Sequence, residues 1–309
     1  MKHIFVINPS AGDGEAEREF LPAIIQAANA AGILYEIHIT SGSMDAERFS
    51  REKCLEDGPV RLYACGGDGT LNEVANGIYG HDNAELAVIP AGTGNDFVKT
   101  FKNSHYFTDL DRQIKGKPVI IDLLKYNGRF GVNVCNAGFD SAVANRIEKL
   151  KRYPLLHGKT SYIAGIFLEF FKKMGNCLEV TIDDSETYTG NFLLFAAGIG
   201  SYYGGGFHAL PLASRSRGEM DLCLVRKFGR LKFLSMISDY KAGRHVEKLK
   251  FKELVIYRKC RKVTVKSEKP FLFSADGETN LKKEVCIEVV PRAIRLSLPE
   301  GCEMGLENE

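Results

Sequence analysis

The stretch "RLYACGGDGTLNEVANG", residues 61–77, puts two glycines, an aspartate, a glycine and a threonine between an apolar run and a helical one. A plain turn needs one or two such residues. Five in succession leave the backbone bare, and bare N–H groups at a helix start make a site for an anion. The apolar run "VRLYAC" (60–65) predicts a strand, and "TLNEVANGIYG" (70–80) predicts a helix.

The same alternation extends on both sides. Before it come a strand "HIFVIN" (3–8), a helix "EAEREFLPAIIQAANAAG" (15–32) closing at Gly32, a strand "ILYEIHIT" (33–40) and a helix "MDAERFSREKCLEDG" (44–58). After it comes the strand "ELAVIP" (85–90). Strands alternating with helices imply parallel pairing through right-handed crossovers, a doubly wound α/β domain. Beyond "KPVIIDLLKYN" (117–127) the texture changes to strand-like runs separated by Gly, Asp or Ser, among them "YTGNFLLFAAGIG", "ELVIYRKCRKVTVKS" and "PFLFSADGE". Only "TSYIAGIFLEFFKKMG" (160–175) and "RLKFLSMISDYKAG" (230–243) read as helices there. A second, mainly antiparallel β-sandwich domain is expected.

Whole-chain properties narrow the function. The 309 residues suit two domains, and 44% hydrophobic content supplies their cores. A net charge of +2 argues against a dedicated nucleic-acid binder and leaves room for local basic patches at an anionic membrane. The eight cysteines are scattered, with no CxxC pair and no Cys/His cluster, so zinc and thioredoxin-like readings fail and buried thiols in a reducing cytosol are expected. No run of about 20 apolar residues is present.

In a parallel sheet, ligands sit at the carboxyl ends of the strands. Three loops there share one composition: "NPSAGDG" (8–14), "GGDGT" (66–70) and "PAGTGND" (90–96). Glycine lets N–H groups approach a ligand closely, and three converging loops suit a polyphosphate. Asp68 inside such a loop would repel phosphate unless a cation lies between, so Mg²⁺ is implied. The two common phosphate motifs fail. "YPLLHGKT" (153–160) has Tyr153 where a Walker glycine belongs, and "GDGEAE" has Glu17 where a dinucleotide fingerprint needs Gly or Ala.

"GGDGTLNEVANG", "PAGTGNDF" and the late "SADGE", in this order, resemble the bacterial diacylglycerol kinase family of lipid kinases, which includes relatives of sphingosine kinase. The resemblance runs from Asn8 to about Leu298. It implies a two-domain kinase of lipid metabolism and phospholipid biosynthesis, with an NAD kinase- or phosphofructokinase-like first domain. ATP would bind between the domains and the lipid would enter from the β domain. The last strand, near "IRLSLP", would return to the first domain. That gives an ATP-binding domain over 1–123 and about 294–309, and a lipid-substrate domain over 124–293.

The resemblance also implies roles. Gly66, Gly67, Gly69 and Thr70 would cradle phosphates, helped by Asn8, Ser10 and Gly12 of the first loop. Thr93 and Asn95 belong to the third loop, Thr93 being the better phosphate or ribose contact. Thr40 is either an ATP contact or a helix cap. Glu73 either touches ribose or adenine or favours the helix dipole. Glu278 would be the general base that accepts the proton of the attacking alcohol. Asp68, Asp96 and Asp276 would face Mg²⁺ through water, with Asp96 alternatively capping "FVKTF". Ligands and partners implied are ATP, Mg²⁺ and a lipid at the inner face of the membrane, with no nucleic acid. A homodimer through an exposed β edge stays open.

Three positions depart from the family pattern. Asp13 stands where Lys or Arg is usual, and Lys99 stands where Arg is common, keeping the charge but losing the bidentate fork. Arg217 of "SRSRGEMD" replaces an acidic residue that in some members helps hold a structural Mg²⁺. That second metal site is expected to be absent, or its cation replaced by the guanidinium. Three further segments carry paired readings. The helix face of Tyr162, Ile163, Ile166, Phe167, Phe170 and Phe171, ending in Lys172 and Lys173, either packs on the β domain or lines the acyl entrance. "YRKCRKVTVK" (257–266) is either a solvated strand face or a membrane-facing one. "GSYYGGGFHALP" (200–211) reads as a mobile cleft wall in which His208 is incidental. The rivals to a lipid kinase are an NAD kinase and a nucleotide- or lipid-binding regulator without catalysis.

Overall fold

The computed structural model describes residues 1–92, 94–138 and 175–305, without the side chains of Asp13, Arg230, Leu231, Phe233 and Leu234. Residues 160–174 of the expected "TSYIAGIFLEFFKKMG" helix, all of "YPLLHGKT", and Thr93 lie outside the described residues. The chain divides into two compact units, Met1–Leu123 with Val290–Glu309, and Leu124–Val289.

The first unit winds β1 (Lys2–Ile7), α1 (Ala16–Ala31), β2 (Tyr35–Ile39), α2 (Asp45–Cys54), β3 (Val60–Gly66), α3 (Asp68–Ile78) and β4 (Ala84–Pro90). Its strands pair in parallel in the order β4-β3-β1-β2. β3 is buried along its whole length, as a parallel strand covered on both faces must be. Phe5 and Tyr63 stack at 4.3 Å in the core beneath α1. After the short α4 (Leu110–Ile114), β5 (Lys117–Tyr126) begins. A buried pair fixes this return: Arg61 Nε and a terminal nitrogen each lie 2.8 Å from Glu85 Oε2. The remaining guanidinium hydrogens reach the carbonyls of Gln113, Ile114 and Gly116. Full satisfaction is what makes such a pair tolerable inside a protein.

The second unit holds β6 (Arg129–Gly131), β7 (Val134–Gly138), β8 (Asn176–Ile182), β9 (Glu186–Gly198), β10 (Met220–Arg226), α5 (Arg230–Lys241), β11 (Val255–Cys260), β12 (Lys262–Ala275) and the start of β13 (Glu278–Leu298). Its strands pair antiparallel in the order β11-β10-β9-β7-β12-β13, with β8 between β9 and β12. β9 carries two cores on its two faces. Phe192, Phe195 and Ala197 join one apolar cluster, and Leu193, Leu194 and Ala196 join the other. Two adjacent leucines share a face because the register against β10 slips there, from Val225↔Leu194 to Arg226↔Phe192. The continuous run "ELVIYRKCRKVTVKS" is broken at Arg261, where Asp183 Oδ1 takes the N–H groups of Arg261 and Lys262.

In the last nine residues of β13, Arg295 and Leu296 pair in parallel with Glu85 and Leu86 of β4 in the first unit's sheet. All eight cysteines are free thiols, five of them buried. Among the described residues no helix is long and apolar enough to cross a membrane.

α2 packs closely on α3, and that contact positions the wall of the glycine-turn region. A Cβ on Gly77 would lie 2.6 Å from the Glu47 carbonyl and 2.8 Å from Ser50 Cβ, so only glycine lets the helices meet. Helix propensity alone favours Gly77→Ala by about 1 kcal/mol. Overpacking costs about 1–3 kcal/mol and wins here. Gly77→Ala is expected to lower the urea midpoint, and a raised midpoint would show that α2 does not press on α3.

Candidate active site

The three glycine-bearing turns of the first unit are stitched together by their own backbones. Asn8 N–H donates to Cys65 O at 3.0 Å, and Ala91 N–H donates to Gly66 O at 2.9 Å. The Asn8 amide donates to Thr70 Oγ1 at 3.0 Å, tying the first turn to the second. A Cβ on Gly66 would overlap the Thr70 hydroxyl, and one on Gly92 would lie 2.9 Å from Gly67 Cα. The second and third turns therefore touch backbone to backbone. Gly12 approaches Ala91 O in the same way, at 3.4 Å from its Cβ position. Thr70 accepts from Asn8, and its own hydroxyl hydrogen remains to be given.

A cavity of about 370 Å³ opens beside these turns. Asn8, Ser10, Thr40, Gly69, Thr70 and Glu73 line it, together with Pro9, Ser41, Gly42, Ser43 and Ala46. Glu73 neither faces the cavity freely nor serves its own helix. Its carboxylate accepts from Met44 N–H at 2.9 Å and Ala46 N–H at 3.2 Å, so it caps α2. That leaves Thr40 without the capping duty, on the cavity wall. Asp45 fixes the rest of this wall, taking the Ser41 N–H at 2.8 Å and hydroxyl at 3.1 Å and the His38 ring at 3.1 Å. The Ser41 amide, with Arg48 and His38 beside it, holds the Asp45 carboxyl well below the usual carboxylate range.

The third turn gathers charge. Asp96 N–H lies 3.5 Å from Asp68 Oδ2, and both carboxylates flank Gly94, at 3.1 and 3.9 Å from its Cβ position. Lys99 Nζ sits 2.7 Å from Asp96 Oδ1, so Asp96 pairs with a cation. Asn95, with φ +48°, accepts the Gly92 N–H on its side-chain oxygen at 2.9 Å and so holds its own loop.

In the second unit, β12 and β13 are joined by Asp276 and Gly277, with φ +48° and +96°. Two left-handed residues match the twist of a tight hairpin, and Asp-Gly supplies them at low cost. The Asp276 carboxylate accepts from Val132, Asn133 and Val134 N–H groups at 2.7, 3.0 and 3.1 Å. These amides engage both Asp276 oxygens, so the carboxylate clasps its neighbouring loop. Glu278 follows the turn as the first residue of β13, paired with Ala275 in the ladder, and its side chain is exposed.

The sequence reading missed Arg215. Its fully buried guanidinium bonds Val132 O and, at 2.8 Å, Asn133 Oδ1, from behind the same loop that clasps Asp276. The segment "SRSRGEMD" signalled a guanidinium here but pointed to Arg217, and nothing in composition separates the two arginines. His208 stacks on Tyr202 at 4.2 Å, and burial pushes its imidazole down, so it serves packing. Asp276→Asn would set an NH₂ against at least one of these N–H donors and lose charge-assisted bonds that contribute about 2 kcal/mol. Faster hydrogen exchange at Val132 and Val134 is expected, and unchanged exchange would refute the clasp.

Comparison with known proteins gives one answer for both units. A family model of the diacylglycerol kinase catalytic domain matches residues 2–126. The YegS C-terminal NAD kinase beta sandwich-like domain matches residues 133–298. A protein named diacylglycerol kinase from Staphylococcus carnosus is 31% identical over 282 residues, covering 88% of this chain and 87% of that one. A protein named "Probable lipid kinase YegS-like" from Alcanivorax borkumensis is 26% identical over 309 residues, covering 98% of each. A solved structure of a candidate diacylglycerol kinase from Bacillus anthracis str. Sterne shares the fold, with a TM-score of 0.73 at 21% identity over 97% of this chain and 98% of that one.

Proposed function

The chain belongs to the bacterial diacylglycerol kinase family of lipid kinases, and from that premise we propose that it transfers the γ-phosphate of ATP, with Mg²⁺, to the hydroxyl of diacylglycerol or a related lipid. The observation that carries the nucleotide half is the cavity where Asn8, Ser10, Thr40, Gly69 and Thr70 meet. The amides at the start of α3 point positive partial charge at a bound phosphate. Thr70 donates its free hydroxyl hydrogen, since its oxygen already accepts from Asn8. Glu73, spent on α2, shapes the wall and leaves the cavity free of an uncompensated carboxylate.

Asp68 and Asp96 fit a magnesium ion, which needs only one or two carboxylates beside phosphate oxygens and water. Bound there, it would offset charge on the transferred phosphoryl group. Lys99 balances Asp96 from the other side. Thr93 lies outside the described residues and keeps its expected role as a phosphate or ribose contact.

Glu278 is the general base. The lipid hydroxyl oxygen attacks the γ-phosphorus, the bond to the β-phosphate oxygen breaks to release ADP, and the hydroxyl proton passes to the Glu278 carboxylate. Asp276 acts as a positioning residue, holding the turn from which Glu278 projects. A lipid substrate brings the enzyme to a membrane surface, and ATP makes that the cytoplasmic face.

A general base contributes about 10²–10⁴ in rate. Glu278→Gln is expected to lower kcat at least a hundredfold on detergent-dispersed diacylglycerol, with ATP affinity within twofold of the parent. Undiminished turnover would remove Glu278 from the mechanism. Transfer to NAD with none to lipid would overturn the assignment of the acceptor.

A further inference from the structure

Leu249 is 85% exposed, more than any other large hydrophobic residue among those described. A lone exposed leucine is ordinary, so its surroundings decide. It sits on a single turn, Leu249–Phe251, whose Phe251 is buried in the core with Tyr240 and Val225. Phe251 N–H donates to Lys248 O at 2.9 Å and Leu254 N–H donates to Phe251 O at 2.8 Å. The turn is pinned from below and lifts Leu249 outward.

Cations surround it in excess. Arg244, Lys248 and Lys250 all reach the buried carboxylate of Asp239, at 2.9, 2.6 and 3.1 Å. One carboxylate cannot neutralise three cations. Lys241 and Lys252 add to them, against the exposed Glu247 and Glu253. The strand face at 257–266, the other candidate for a membrane surface, lacks such an apolar residue. There Arg258 pairs with Glu186, Lys262 with Asp184 and Lys266 with Glu284, and among the described residues no exposed large hydrophobic lies in the stretch. It has charge but nothing to enter the acyl boundary.

We propose that the turn Lys248–Lys252, with Arg244 beside it, is the surface by which this protein docks on an anionic bilayer. Leu249 enters the acyl boundary while the ammonium and guanidinium groups meet lipid phosphates, the division of labour of interfacial segments. Charge complementarity selects an anionic membrane as the occupant, because a neutral apolar partner would leave the cations without counter-charge. The inference deepens the lipid-kinase reading and rests on it for the reason to dock.

The test is co-sedimentation of the full chain, without nucleotide, with vesicles of phosphatidylcholine alone or with about one-third phosphatidylglycerol. Binding is expected to the anionic vesicles only and to fall steeply between low and high salt. Leu249→Asp is expected to weaken it about tenfold or more, as removal of a buried leucine would. Lys252→Glu, which breaks no ion pair seen here, is expected to weaken it at least fivefold. Both variants should keep the parent's melting temperature and its rate on detergent-dispersed diacylglycerol. Wild-type binding to the anionic vesicles that both variants retain, or no binding at all, overturns the docking surface and leaves the kinase assignment standing. Binding by these residues to an acidic protein but not to vesicles overturns it too. A parent protein that binds vesicles yet transfers no phosphate in detergent instead sinks the kinase reading.

Discussion

The parallel sheet of the first unit ends in turns that can meet only where side chains are missing. Gly92 presses on Gly67, and Thr70 folds back into the space over Gly66. Any side chain at these contacts would push the turns apart. It would also cost Thr70 its bond from Asn8. The contact creates amides at a helix start, a hydroxyl with a hydrogen to give, and a cavity bordered by the same residues. Gly66 and Gly92 are thus a packing requirement first and part of an anion site second.

The second unit solves a different problem, holding an exposed carboxylate on a tight turn. A hairpin loop would ordinarily be loose. Asp276 prevents this by drawing three amides of residues 132–134 onto its oxygens, and Arg215 fastens the same loop from its buried side. The cost of burying a guanidinium is offset by bonds to Val132 and Asn133. Rigidity at Asp276 and freedom at Glu278 are compatible because one side chain points into the loop while the next strand begins at the other.

Much of this was legible in the residues. The alternation of apolar runs with helical ones located β1 to β4 and α1 to α3 within a few residues. The shared composition of the turns at 8–14, 66–70 and 90–96 flagged them together. Other features left no mark. The partners of Asp276 are backbone amides more than 140 residues away, which any sequence offers. Glu73 caps a helix other than its own, 27 and 29 residues back in the chain. The slip at Leu193 is visible only once two apolar clusters compete for adjacent leucines. Long-range pairing of this kind depends on tertiary context, not on local pattern.

The central claim is that the glycine turns of the first unit hold the triphosphate of ATP. Crystals soaked with a non-hydrolysable ATP analogue and Mg²⁺ test it most directly. Phosphate oxygens are predicted against the amides of Gly67 to Thr70 and the Thr70 hydroxyl, with the metal beside Asp68 and Asp96. A nucleotide bound away from these turns, or none at saturating concentration, would contradict it.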